Sequence, residues 1–86
     1  MTTSEIKIKV KLFSIYQEVF GKSELDLSIA DKTKIEDVLA LLIAQKPQLA
    51  KWREVTRFGV NLQFVAADTV LRDGDEVVFI PPVSGG

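Results

Sequence analysis

The sequence predicts an α+β roll, a mixed sheet of four or five strands packed on one main helix. Three features predict it. Two runs near the N-terminus alternate apolar and polar residues, the period-2 pattern of strands with one face buried. A central stretch repeats apolar residues at helical spacing. The run Glu76–Ile80 is apolar at nearly every position and ends at a double proline. The chain has 86 residues, which fits one small domain and excludes two.

The elements follow in order. Ile6, Ile8, Val10 and Leu12 alternate with Lys7, Lys9, Lys11 and Phe13, which predicts a first strand. Tyr16–Ser23, with Gly21, reads as a connection. Leu25, Leu27 and Ile29 against Glu24, Asp26 and Ser28 predict a second strand, paired antiparallel with the first. Thr33 and Glu36 have capping-box spacing. Ile35, Val38, Leu39, Leu42 and Ile43 then form one apolar helical stripe, with Asp37 favourably placed in its first turn. Pro47 ends that helix at Lys46, and Gln48–Arg53 suggests a further short turn carrying Leu49 and Trp52. Phe58 and Val60 begin a strand that breaks near Asn61, and Phe64-Val65 is a short strand after the turn. Arg72-Asp73-Gly74-Asp75 is a turn. Glu76–Ile80 suits a central strand, expected to lie parallel beside the first, and Pro81-Pro82 stops it. This order is that of a ubiquitin-like, β-grasp roll over residues 1–80, followed by a flexible tail over 81–86.

Composition narrows the function classes. The hydrophobic fraction is 47% and the charged fraction 27%, as in a globular domain. There is no Cys and no His. That excludes disulfides, thiolate chemistry and a histidine general base or metal ligand. The formal net charge of -1 argues against a nucleic-acid surface. No apolar run approaches the roughly 20 residues of a membrane span. Met1–Glu5 lacks the pattern of a signal peptide, so a cytoplasmic location is expected.

The reactive element is expected in the tail. Pro81 and Pro82 favour an extended path away from the sheet. The residues after Pro82 reach roughly 13 Å when extended. Gly85 and Gly86 carry no Cβ and fit a slot too narrow for other residues. The Gly86 carboxylate is a poor electrophile until a partner converts it to an acyl adenylate. An amine then gives a protein conjugate, and a sulfur donor gives a thiocarboxylate. Neither route needs a side-chain catalyst on this chain.

The segment Leu71-Arg72-Asp73-Gly74-Asp75-Glu76-Val77-Val78-Phe79-Ile80-Pro81-Pro82-Val83-Ser84-Gly85-Gly86 resembles the C-terminus of the molybdopterin synthase small subunit family, the ubiquitin-like sulfur carriers. Lys11-Leu12-Phe13, Glu18, Gly21 and Val60-Asn61 extend the resemblance over nearly the whole chain. Gln17 stands where the family often has Arg, and Ile80 where it often has an aromatic residue. The resemblance implies that an E1-like enzyme adenylates Gly86 with ATP and that Gly86 is then thiocarboxylated. It implies no permanently bound cofactor. It further implies that the tail enters the large subunit of molybdopterin synthase in a heterotetramer of two small and two large subunits. There the sulfur goes to a pyranopterin precursor to build the dithiolene, with catalytic side chains supplied by the large subunit. On that reading the chain is a sulfur-donor subunit and not an enzyme alone.

Strand parity adds a partner surface. Phe13 points away from the buried face of the first strand. In the last strand either Val78 and Ile80 or Val77 and Phe79 lie opposite the helix. One pair, with Phe64, forms an apolar patch of the kind that marks docking sites. By resemblance, Phe13, Phe64 and Ile80 match large-subunit contacts, continued by Pro81, Pro82, Val83 and Ser84. Lys7, Lys9 and Lys11 read as a solvated face, or as a rim that guides an acidic partner. Asp73 and Asp75 read as turn residues, because their spacing is not that of a calcium loop. Trp52 and Phe58 read as core or core edge. The rival functions are a carrier of another pathway, such as the thiamine type, a ubiquitin-like protein modifier, and a binding module with an inert tail.

Overall fold

The computed structural model describes residues 4–82. Val83, Ser84, Gly85 and Gly86 lie outside the described residues. Strand β1 spans Glu5–Leu12 and β2 spans Glu24–Ala30. They pair antiparallel, with Ile8 opposite Leu27. Strand β5, Glu76–Ile80, lies parallel to β1, with Val10 beside Val77. Strands β3 (Arg57–Val60) and β4 (Gln63–Val65) complete a five-stranded sheet in the order β2-β1-β5-β3-β4. The expected β-grasp roll and its central parallel pair are both present.

One face of this sheet is dry. Ile6, Ile8, Val10 and Leu12 of β1 are buried, with Val77 and Phe79 of β5. Helix α2, Ile35–Gln45, covers them with Ile35, Val38, Leu39 and Leu42. The alternation of β1 is therefore the packing pattern itself. Phe58 stands edge-on to Phe79, with ring centroids 5.7 Å apart, which places it at the core edge as expected.

Three local expectations are corrected. First, the connection Tyr16–Ser23 contains a helix, α1, Ile15–Phe20. Gly21 ends it at φ 69°, donating its N–H to the Gln17 carbonyl (2.8 Å). Tyr16 is wholly buried, 6.1 Å from Phe79 between ring centroids. Ile15, Tyr16, Val19 and Phe20 already have helical spacing, but six residues are too few to stand out without their tertiary contacts.

Second, the Thr33/Glu36 capping box does not form. Lys34 occupies the N-cap, and no side chain caps the helix. The Thr33 hydroxyl instead donates to the Ala30 carbonyl at 2.6 Å. The free N–H groups of α2 are met by a distant segment: Ile35 donates to the Thr69 carbonyl and Glu36 to the Ala67 carbonyl, at 2.9 and 3.1 Å. Buried Leu71 anchors that segment, and its N–H donates to the Thr33 carbonyl at 2.9 Å. Third, the short turn after Pro47 is a longer 3-10 helix, Pro47–Val55, with Leu49 buried beneath it. Helix α2 itself ends before Pro47 as expected, with Lys46 as its C-cap.

Candidate functional site

Among the described residues, the second face of the sheet carries no helix. The strand registers place Glu24, Lys11, Val78, Gly59 and Phe64 in one row across it. One row towards the C-terminal end of β5, Ile80 pairs with Arg57. Val78 and Ile80 are therefore the pair opposite α2, and they are half-buried. The face divides by chemistry. On its β1–β2 side Lys9 and Lys11 pair with Glu24 at 3.6 and 3.3 Å. Lys11 and then Lys9 hold the Glu24 carboxyl below its ordinary range. The lysine stripe is thus partly neutralised on its own sheet, as a solvated face would be.

On the other side the face is apolar. Phe13, Val78 and Ile80 line a shallow groove with Gly59 and the β3–β4 hairpin residues Leu62, Gln63 and Phe64. Among the described residues, no charged side chain lines it. Phe13 is 49% exposed and Phe64 74% exposed. The structure thus brings Phe13, Phe64 and Ile80 to one depression. Phe13 and Ile80 also border a second groove with Trp52, Glu18, Pro81 and Pro82. Pro81 is buried and Pro82 exposed. The end of β5, from which the tail leaves, therefore sits where the two grooves meet.

Two hydrogen-bonded features brace β5, one at each end. Tyr16 OH and Thr56 Oγ1 form a short buried hydrogen bond, and Thr56 Oγ1 donates to the Trp52 carbonyl at 2.7 Å. Because that donation uses the Thr56 proton, the Tyr16 hydroxyl is the donor to Thr56. Burial raises the Tyr16 pKa above its ordinary value. The second feature lies at the opposite end of β5. Asp75 accepts from the Asn61 side-chain amide and the Arg72 N–H at 3.0 and 2.8 Å. Asn61 Oδ1 accepts from the Glu76 N–H at 3.0 Å, and Asp73 accepts from the Lys7 N–H at 2.7 Å. Both aspartates are occupied as turn residues. Neither perturbed group, Glu24 or Tyr16, lines the apolar groove.

Sequence reasoning missed Tyr16 as a core residue and Leu62 as a groove residue. Leu62 is 92% exposed at the tip of a two-residue turn. A large apolar residue inside a turn was the available signal. Trp52 is half-buried and packs against the core, as its core-edge reading expects. Among the described residues, no helix is long and apolar enough to cross a membrane.

The ThiS family profile matches residues 10–86. The chain belongs to the ThiS family. The molybdopterin synthase sulfur carrier subunit of Chlamydomonas reinhardtii is 39% identical over 83 residues, covering 94% of this chain and 100% of that protein. Among solved structures, small archaeal modifier protein 1 from Methanosarcina acetivorans superposes with a TM-score of 0.75 at 30% identity, covering 96% of this chain and 99% of that one. A chain in the complex of subunits 1 and 2 of molybdopterin-converting factor from Helicobacter pylori has a TM-score of 0.61 at 23% identity, covering 94% and 100%. That last likeness concerns the fold alone. The resemblance first seen in the C-terminal segment of this ThiS family member thus extends over nearly all of it.

Proposed function

We propose that this chain is the sulfur carrier subunit of molybdopterin synthase. The observation that carries the reading is the match to a relative of that name along that relative's full length. In the proposed cycle an E1-like enzyme activates the Gly86 carboxylate. A carboxylate oxygen attacks the α-phosphorus of ATP, and pyrophosphate leaves. Sulfur at the sulfide level (HS⁻) from a donor then attacks the acyl carbon, AMP leaves, and a thiocarboxylate forms with no change of oxidation state. The apolar groove of Phe13, Phe64 and Ile80 docks on the large subunit while Pro81 and Pro82 direct the tail inward. The thiocarboxylate sulfur attacks the pterin precursor, water then cleaves the resulting thioester and returns the Gly86 carboxylate, and two small and two large subunits make the complex. The existence of a solved complex between two subunits of molybdopterin-converting factor, one with this fold, supports the docking step.

The test adds one residue after Gly86. The carboxylate then sits one residue too far along, and a side chain stands where only glycine fits. Reconstituted synthesis with the large subunit is expected to stop. Undiminished product from the untrimmed variant would refute the reading. A second reading, protein modification, draws on the likeness to a small archaeal modifier protein. It shares the adenylate and differs in the nucleophile, a lysine amine. A ladder of conjugates that disappears when Gly86 is removed would favour it.

A further inference from the structure

The β3–β4 hairpin closes through two residues, Asn61 and Leu62, both with positive φ, 49° and 71°. A tight hairpin turn of this kind favours Asn followed by Gly. Asn61 meets the preference, and its side chain is tied down on both sides by Asp75 and the Glu76 N–H. Leu62 does not. A branched side chain in the left-handed region is strained, and glycine avoids that strain. Nor does burial compensate, because Leu62 is 92% exposed. Among the described residues nothing accounts for leucine there.

The surroundings show what the side chain does. Leu62 and Phe64 form one wall of the uncharged groove, and Phe13 and Ile80 line it from the other side. The floor includes Gly59. A Cβ at Gly59 would stand 3.4 Å from the Gln63 carbonyl oxygen and 3.7 Å from the Val78 Cβ, and any longer side chain would extend into the groove. The Gly59 φ lies outside the left-handed region, so its backbone does not require glycine. The hairpin thus combines an unnecessary glycine with an unfavourable leucine, and together they shape one pocket. The occupant is constrained by the end of β5. The residues after Pro82 reach roughly 13 Å, so a protein that receives Gly86 comes within that distance of the end of β5, where Ile80 lines this groove.

We propose that Leu62 and Gly59 are specificity-determining residues that form a pocket for an apolar side chain of the large subunit that accepts the tail. The proposal rests on the docking reading given above. The test compares Leu62→Gly, Leu62→Asn, Gly59→Leu and Phe64→Arg. Each variant is titrated against the molybdopterin synthase large subunit of the same organism and unfolded with denaturant. Leu62→Gly and Leu62→Asn are expected to weaken binding about tenfold, the equivalent of about 1.4 kcal/mol, while the denaturation midpoint stays level or rises. Gly59→Leu is expected to weaken binding by a similar factor through filling the floor. Unchanged affinity in both Leu62 variants, with Phe64→Arg impaired, would overturn this proposal and leave the docking reading intact. Unchanged affinity in all four would overturn both. A lowered midpoint in Leu62→Gly would show a structural role and overturn the proposal. So would a change confined to self-association of the free subunit, which would assign the pocket to a second copy of this chain.

Discussion

Replacing Phe64 with Arg is the sharpest perturbation of the apolar face. The ring is 74% exposed in the monomer, so little of its area is committed to the fold. Full burial of a Phe side chain is worth about 1.5–3 kcal/mol. The exposed three-quarters therefore leave about 1–2 kcal/mol for a partner to gain. That corresponds to a roughly fivefold to thirtyfold change in dissociation constant. Arg adds to the loss, because its guanidinium would be desolvated in a groove that has no carboxylate among its described lining residues. The monomer should change by less than about 1 kcal/mol, since Phe64 sits on the short edge strand β4. The assay is a calorimetric titration against the large subunit, with a thermal melt of the free variant as control. Unchanged affinity with an unchanged melt would refute the reasoning, because it would show that the most exposed aromatic of the groove meets nothing.

The remaining predictions concern what holds the face in place. Tyr16→Phe leaves the Thr56 hydroxyl without its buried donor and should cost about 1–3 kcal/mol. For a domain of this size that lowers the melting temperature by about 4–8 °C per kcal/mol. The same residue gives a pH dependence. Its folded pKa is raised, so its stabilising contribution is complete below the unfolded value of about 10 and is lost as pH rises through the folded value. Alkaline denaturation curves of the parent should therefore steepen where those of Tyr16→Phe do not. Asn61→Ala removes two hydrogen bonds and the residue best suited to a positive φ, and should lower the denaturant midpoint by the equivalent of about 2 kcal/mol.

The legible parts of the fold are those written in a period. The alternation of β1 and β2 and the stripe of α2 follow directly from which side chains must be dry. Parity alone placed Phe13 on the open face and narrowed β5 to two alternatives, of which the structure selects Val78 and Ile80. The illegible parts depend on distant partners. Thr33 and Glu36 have the spacing of a cap, yet the N–H groups of α2 bond to Thr69 and Ala67, more than a helix length away in sequence. Helix α1 is stabilised by burying Tyr16 against Phe79 and by its bond to Thr56, 40 residues on. The groove shows the same division. Its aromatic members stand out as residue types, whereas Leu62 and Gly59 acquire meaning only from the turn geometry and the register with Val78.

We propose that the reactive group of this protein is the main-chain carboxylate of Gly86. The most direct test is the intact mass of the protein after incubation with an E1-like activating enzyme, ATP and a sulfur donor. The expected result is a gain equal to exchanging one oxygen for sulfur, located at Gly86 by fragmentation and absent when ATP is omitted. An unchanged mass, with an activating enzyme that charges a known carrier in the same preparation, would contradict it.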